Sequence, residues 1–92
     1  MISTSARPRL ASKARLRFDR KSTCYMLLYP EKGLVLNETG ADILKLCTGE
    51  HTVAAIAAQL AEKYSKDAPE VEHEVVAFLG EMADRGLVQD AP

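Results

Sequence analysis

The stretch Tyr29–Leu44, YPEKGLVLNETGADIL, constrains this chain more than any other. It reads as the end of a strand, a turn at Pro30-Glu31-Lys32-Gly33, a short strand Gly33–Leu36 and a helix opened by Asn37. Proline presets φ and glycine tolerates a positive φ, so a turn with Pro first and Gly last is a hairpin signal. Asparagine is a favoured N-cap because its side-chain oxygen accepts an orphan amide of the first helical turn. A hairpin and a helix start are therefore close neighbours here. Residues on the N-terminal side of this stretch read as strand, and those on the C-terminal side as helix.

Upstream, residues from Ala14 alternate: Leu16 and Phe18 share one face, with Arg15, Arg17 and Asp19 on the other. This period of two marks a strand with one wet face. Arg20-Lys21-Ser22 makes a polar turn, and Thr23–Tyr29 forms a second strand. Its two faces, Cys24-Met26-Leu28 and Tyr25-Leu27-Tyr29, are both apolar, as in a central strand covered on both sides. A chain of 92 residues has little with which to cover the second side. The third strand, Gly33–Leu36, leaves an outer edge guarded only by Lys32, and an unguarded edge is a template for another strand.

The remaining pattern is that of three helices. The first spans about Glu38–Cys47 with Gly49 placed to end it. The second spans about Thr52–Tyr64, with Val53, Ile56, Ala57, Leu60, Ala61 and Tyr64 forming one stripe. The third runs from Pro69 in its first turn to Arg85, with Gly86 as its C′ residue. On it Val71, Val75, Phe78, Leu79 and Met82 make the core arc, and Val76, Gly80 and Ala83 a second, flatter strip. A glycine in mid-helix is costly. Gly80 therefore implies close approach of another backbone, either a neighbouring helix or an occupant of a groove walled by the third strand.

The net charge of −1 hides an asymmetry, with residues 1–21 carrying +6 and the remainder −7. Residues 1–13 lack periodicity and read as a flexible basic arm, either a solvated tail or an element for an acidic partner. Residues 14–92 make a single domain. Cys24 and Cys47 have no C-x-x-C spacing, no apolar segment follows Met1, and no run suits a membrane span, so a cytoplasmic protein with two reduced thiols is expected. His51 and His73 lie far apart and match no metal-binding spacing. There is no phosphate loop or nucleophile motif, so neither catalysis nor a cofactor is expected of this chain.

An α+β order of three antiparallel strands and a three-helix bundle (β-β-β-α-α-α) looks like a winged helix. DNA binding needs cations for phosphates, whereas the third helix carries Glu70, Glu72, Glu74, Glu81 and Asp84 against Arg85 alone. Nucleic acid is therefore disfavoured.

The block Leu28-Tyr29-Pro30-Glu31-Lys32-Gly33-Leu34-Val35-Leu36-Asn37, then Gly40-Ala41, Ile43-Leu44, Gly49, Thr52-Val53, Ile56, Leu60, Phe78-Leu79 and Gly86-Leu87-Val88, resembles the PqqD family over about residues 14–88. Thr48 departs from the acidic residue that the family pattern has before Gly49. The resemblance implies a peptide chaperone of pyrroloquinoline quinone biosynthesis, a leader-peptide recognition domain. It would bind the precursor peptide PqqA by strand addition and present it to the radical SAM enzyme PqqE. The implied peptide-binding set is Gly33, Leu34, Val35 and Leu36 with Val76, Leu79, Gly80 and Ala83. Two alternatives stand beside it: a homodimer that pairs or exchanges strands through the free edge, and a carrier of the quinone or an intermediate near Tyr25 and Tyr29.

Overall fold

Two antiparallel sheets and three helices make up the computed structural model, which describes residues 2–30 and 32–91. The elements are β1 (Pro8–Leu10), β2 (Arg15–Asp19), β3 (Cys24–Tyr29), β4 (Lys32–Val35), α1 (Glu38–Lys45), α2 (Val53–Tyr64), α3 (Ala68–Asp84) and β5 (Val88–Asp90). The larger sheet has the order β2-β3-β4, so the doubly apolar strand is central, as its composition requires. With the three helices this is the expected α+β arrangement.

Local chemistry sets the helix ends. The Asn37 side-chain oxygen accepts the Gly40 amide at 2.7 Å, and Thr52 Oγ1 accepts the Ala55 amide at 3.1 Å. Pro69 occupies the first turn of α3. Gly86 adopts φ +73 after the end of α3 and donates its amide to the Ala83 carbonyl at 2.9 Å. Gly49 does not end α1, whose C-cap is Leu46. It sits later, at φ +86, where its amide reaches the Pro8 carbonyl at 3.0 Å.

The β3–β4 hairpin closes at the pair Tyr29–Lys32. Of the expected four-residue turn, Glu31 lies outside the described residues. Gly33 is not a turn glycine: it pairs with Leu28 inside β4, where an added Cβ would meet Met26 Cε at 3.0 Å and Leu28 Cδ2 at 3.1 Å.

The core lies between the inner face of this sheet and the helices. Leu27, Ile43, Leu44, Val53, Ile56, Val75, Leu79 and Leu87 are essentially sealed from solvent. Removing such side chains from water supplies roughly 1.5–3 kcal/mol each.

The expectation of a flexible arm over residues 1–13 is overturned. β1 pairs with β5, Pro8 opposite Asp90 and Leu10 opposite Val88, a second sheet that composition did not announce. Ile2, Ala6, Pro8 and Ala11 are buried. Backbone bonds tie the segment down: the Ala54 amide to the Thr4 carbonyl at 3.0 Å, Val53 to Ala6 at 2.9 Å and Ala11 to Leu87 at 2.8 Å. The positive charge belongs to solvent-facing side chains on a docked backbone. None of the helices among the described residues is long and apolar enough to cross a membrane.

Candidate functional site

β4 is an edge strand, and its register shows which backbone groups remain free. The Leu36 amide donates to the Tyr25 carbonyl at 2.9 Å, which makes that pair a hydrogen-bonded one. Alternation then makes Leu34–Leu27 and Lys32–Tyr29 bonded pairs, and Val35–Met26 and Gly33–Leu28 non-bonded pairs. The amides and carbonyls of Gly33 and Val35 therefore point away from the sheet. They form a row able to accept a further strand. Val35 is 64% exposed, one of the most exposed large apolar side chains described. The side chain of Leu34 points inward and packs on the core, and Leu36 is buried, so these two contribute shape rather than contact surface.

The third helix divides into a buried arc and two flanks. Val71, Val75, Leu79 and Met82 are buried. Leu79 is fully sealed, so its place in the expected peptide-binding set is corrected: it is a core residue. At about 100° per residue, Glu72, Val76, Gly80 and Ala83 form one flank of this arc, and Phe78 the other, with Glu74 and Arg85 beyond it. Phe78 is half-buried, and its ring atoms lie 3.4 Å from where a Cβ on Gly40 would sit. Gly40 is in the first turn of α1, immediately after β4. The flank of α3 that meets the β4–α1 junction is thus that of Phe78.

Val76, Gly80 and Ala83, the expected groove floor, occupy the opposite flank. Nor does another backbone press on Gly80, since an added Cβ there would meet nothing within 4 Å. Phe78, assigned from periodicity to the core arc, stands at the border of that arc, half-buried and beside Gly40.

A polar cluster joins α1 to α2. Asp42, buried among apolar neighbours, accepts hydrogen bonds from Lys63 Nζ at 2.8 Å and from the Tyr64 hydroxyl, with Lys45 Nζ at 3.9 Å. Burial pushes the Asp42 carboxyl up, but the Lys63 and Tyr64 hydrogen bonds and the two lysine charges outweigh it and hold the group below its usual range. Lys45 also lies 4.2 Å above the centre of the Tyr25 ring, against which Phe18 packs edge-on at 5.1 Å. Tyr25 and Tyr29 both pack against the core. These groups are engaged with one another, an arrangement that holds helices together rather than one poised for proton transfer.

Cys47 is buried, donates to the Ile43 carbonyl at 3.3 Å, and has its thiol pushed up to about 12 by that burial. Cys24 is half-exposed. Among the described residues no three His, Cys, Asp or Glu side chains gather as metal ligands.

Comparison with known proteins points in the same direction as the resemblance. The profile of the family described as Coenzyme PQQ synthesis protein D (PqqD) matches residues 24–88. A PqqA binding protein of Rhodopseudomonas palustris (strain BisB5) is 40% identical over 90 residues, covering 98% of this chain and 88% of the relative. The solution structure of the PqqD portion of Methylobacterium extorquens PqqCD, described as a functional, stand-alone recognition element for ribosomally synthesised and modified peptides, superposes with a TM-score of 0.84. It shares 32% identity and the alignment covers 97% of this chain and 95% of that one. Lasso peptide synthetase B1, solved in complex with a leader peptide, superposes at 0.78 with 21% identity over 91% of this chain and 99% of that one. That likeness shows the fold alone.

Proposed function

This chain belongs to the PqqD family, and from that premise we propose that it is a peptide chaperone of pyrroloquinoline quinone biosynthesis that binds the precursor PqqA as an added strand on β4. The single observation that carries the mode of binding is the outward row of Gly33 and Val35 backbone groups on an edge strand. Strand addition draws affinity from main-chain hydrogen bonds and selectivity from alternate side chains. Peptide residues facing inward meet the Phe78 flank of α3, and those facing outward lie beside Val35. The relative named a PqqA binding protein supports PqqA as the ligand.

The bound peptide is presented to the radical SAM enzyme PqqE, which performs the chemistry. The domain itself acts by binding. What supports this is the polar cluster of Asp42, Lys63 and Tyr64, whose members satisfy one another between two helices. Its place of work is the cytoplasm, where Cys24 and Cys47 stay reduced.

Calorimetric titration with PqqA peptides N-methylated at single positions tests the binding mode. Affinity should fall at alternate residues, with a period of two, because only every second amide faces β4. A uniform response, or none, would overturn strand addition. Mass that rises with concentration in the absence of any peptide affinity would instead favour pairing of two copies through the same edge.

A further inference from the structure

The strand register puts a second, unclaimed surface on the sheet. Leu27 faces inward and is completely buried, so its neighbours Met26 and Leu28 face outward. Pairing places Arg15 beside Leu28, Arg17 beside Met26, and Val35 on the other side of Met26. The outward face is therefore an apolar centre of Met26, Leu28 and Val35 with Arg15 and Arg17 along one rim. Arg20 and Lys21 in the β2–β3 turn extend that rim, and with Arg17, Met26 and Leu28 they line an open cavity of about 660 Å³. Asp19, the acidic residue of this cavity, is committed to the turn: Ser22 Oγ donates to it at 2.8 Å and the Lys21 amide at 3.4 Å.

We infer that this outward face is the docking surface for an acidic, partly apolar patch on a second protein, and that this protein is the enzyme receiving the peptide. The inference rests on the presentation reading above and adds the surface and the chemistry by which it operates. Charge complementarity selects the occupant. Residues 1–21 carry +6 in a chain whose remainder carries −7, and four of those cations border this face. An apolar centre with a charged rim is the anatomy of a protein interface, and Arg and Met are enriched in such patches whereas Lys is depleted. Methionine also adapts its shape to a partner. Nucleic acid calls for cations tracking phosphates across the surface, not an apolar centre. A second copy of the chain pairing through this same face would set arginine against arginine. A strand added to β4 would widen the same face with its own outward side chains, so the receiving enzyme would meet chaperone and cargo as one continuous sheet.

The test is a binding titration of PqqE against the full chain and its Arg15→Glu/Arg17→Glu variant, with PqqA affinity and a thermal melt measured on each. The arginines are exposed, so the variant should melt like the parent and bind PqqA equally well. Its affinity for the enzyme should drop by about tenfold or more, with a weaker salt dependence. Arg15→Lys/Arg17→Lys should recover most of it. Arg17→Glu alone carries the same test should the double variant lose its melt.

Enzyme affinity unchanged in the Glu variants, with the parent binding normally, would overturn this surface and leave presentation intact. No enzyme binding by the parent would overturn both. Binding of the parent, but not the variant, to phosphatidylglycerol vesicles or duplex DNA, with enzyme affinity unchanged, would reassign the face to a polyanion.

Discussion

The Asp42 carboxylate on α1 accepts a hydrogen bond from the Lys63 ammonium on α2 at 2.8 Å, across 21 positions of sequence. With the Tyr64 hydroxyl on the same oxygen, it ties together two helices that each contribute to the core. A carboxyl held below its usual range stabilises the fold above its unfolded pKa, near 4, and that contribution is lost as the pH falls through the folded value. Asp42→Asn should therefore cost about 1–2 kcal/mol at neutral pH. The difference between parent and variant should shrink below about pH 4. Denaturant titrations at several pH values measure both effects. A difference that widened on acidification would contradict the assignment.

The docked N-terminal segment makes a different prediction from a loose arm. Ile2 is 7% exposed and belongs to the core. Ile2→Ala should cost on the order of 2–3 kcal/mol, and removal of residues 1–10 should remove most of the stability. Equilibrium unfolding in urea reads both. A truncated chain with an unchanged midpoint would restore the solvated arm.

The two flanks of α3 separate by mutation. Phe78→Ala should weaken PqqA binding by about tenfold or more, equivalent to about 1.4 kcal/mol, in a protein that still folds with a lowered melting temperature. Val76→Glu and Ala83→Glu sit on the opposite flank and should leave PqqA affinity unchanged. Calorimetry beside a thermal melt decides it, and loss of affinity in either Glu variant alone would move the groove.

The glycines should respond unequally. Gly33→Ala brings a Cβ against two flexible side-chain ends in an ordinary strand, so stability should change by less than about 1 kcal/mol. Gly86→Ala forces a left-handed conformation at φ +73 and should cost about 1–2 kcal/mol. Paired denaturation curves of the two variants check the ordering.

The two thiols should also differ. With its thiol raised to about 12 and buried, Cys47 should resist Ellman's reagent at pH 8 until the chain unfolds, while the half-exposed Cys24 reacts in the native state. Time courses in buffer and in guanidinium measure this.

The larger sheet and the helices were legible because each repeats its period long enough to be read. Met26, Leu27 and Leu28 show a central strand, and the α2 stripe runs unbroken for three turns. β1 and β5 were not legible: Pro8-Arg9-Leu10 and Val88-Gln89-Asp90 are too short to display a period of two, and Pro8 reads as loop. Asp42 reads as a surface residue unless one notices that the run Gly40–Leu44 is otherwise apolar. Its partners lie a helix away. Angular arithmetic put Phe78 and Leu79 on one arc of α3, yet only Leu79 is sealed, and which flank meets the β4–α1 junction depends on the contact of Phe78 with Gly40. Such tertiary contacts leave no periodic trace.

The pairing of β1 with β5 also bears on the order in which the chain assembles. The Arg7 amide bonds to Asp90 Oδ1 across 83 positions, and the Ala91 amide returns to the Arg7 carbonyl at 2.8 Å. Closing so long a loop is unfavourable until the intervening elements have brought its ends together. β1 is held from a second side as well, the Leu10 amide reaching the Cys47 carbonyl at 3.3 Å and the Gly49 amide the Pro8 carbonyl at 3.0 Å. These contacts, with those of Thr4 and Ala6 to α2, span shorter loops than the β1–β5 pairing, so docking of β1 onto the helices should precede the closure of the small sheet.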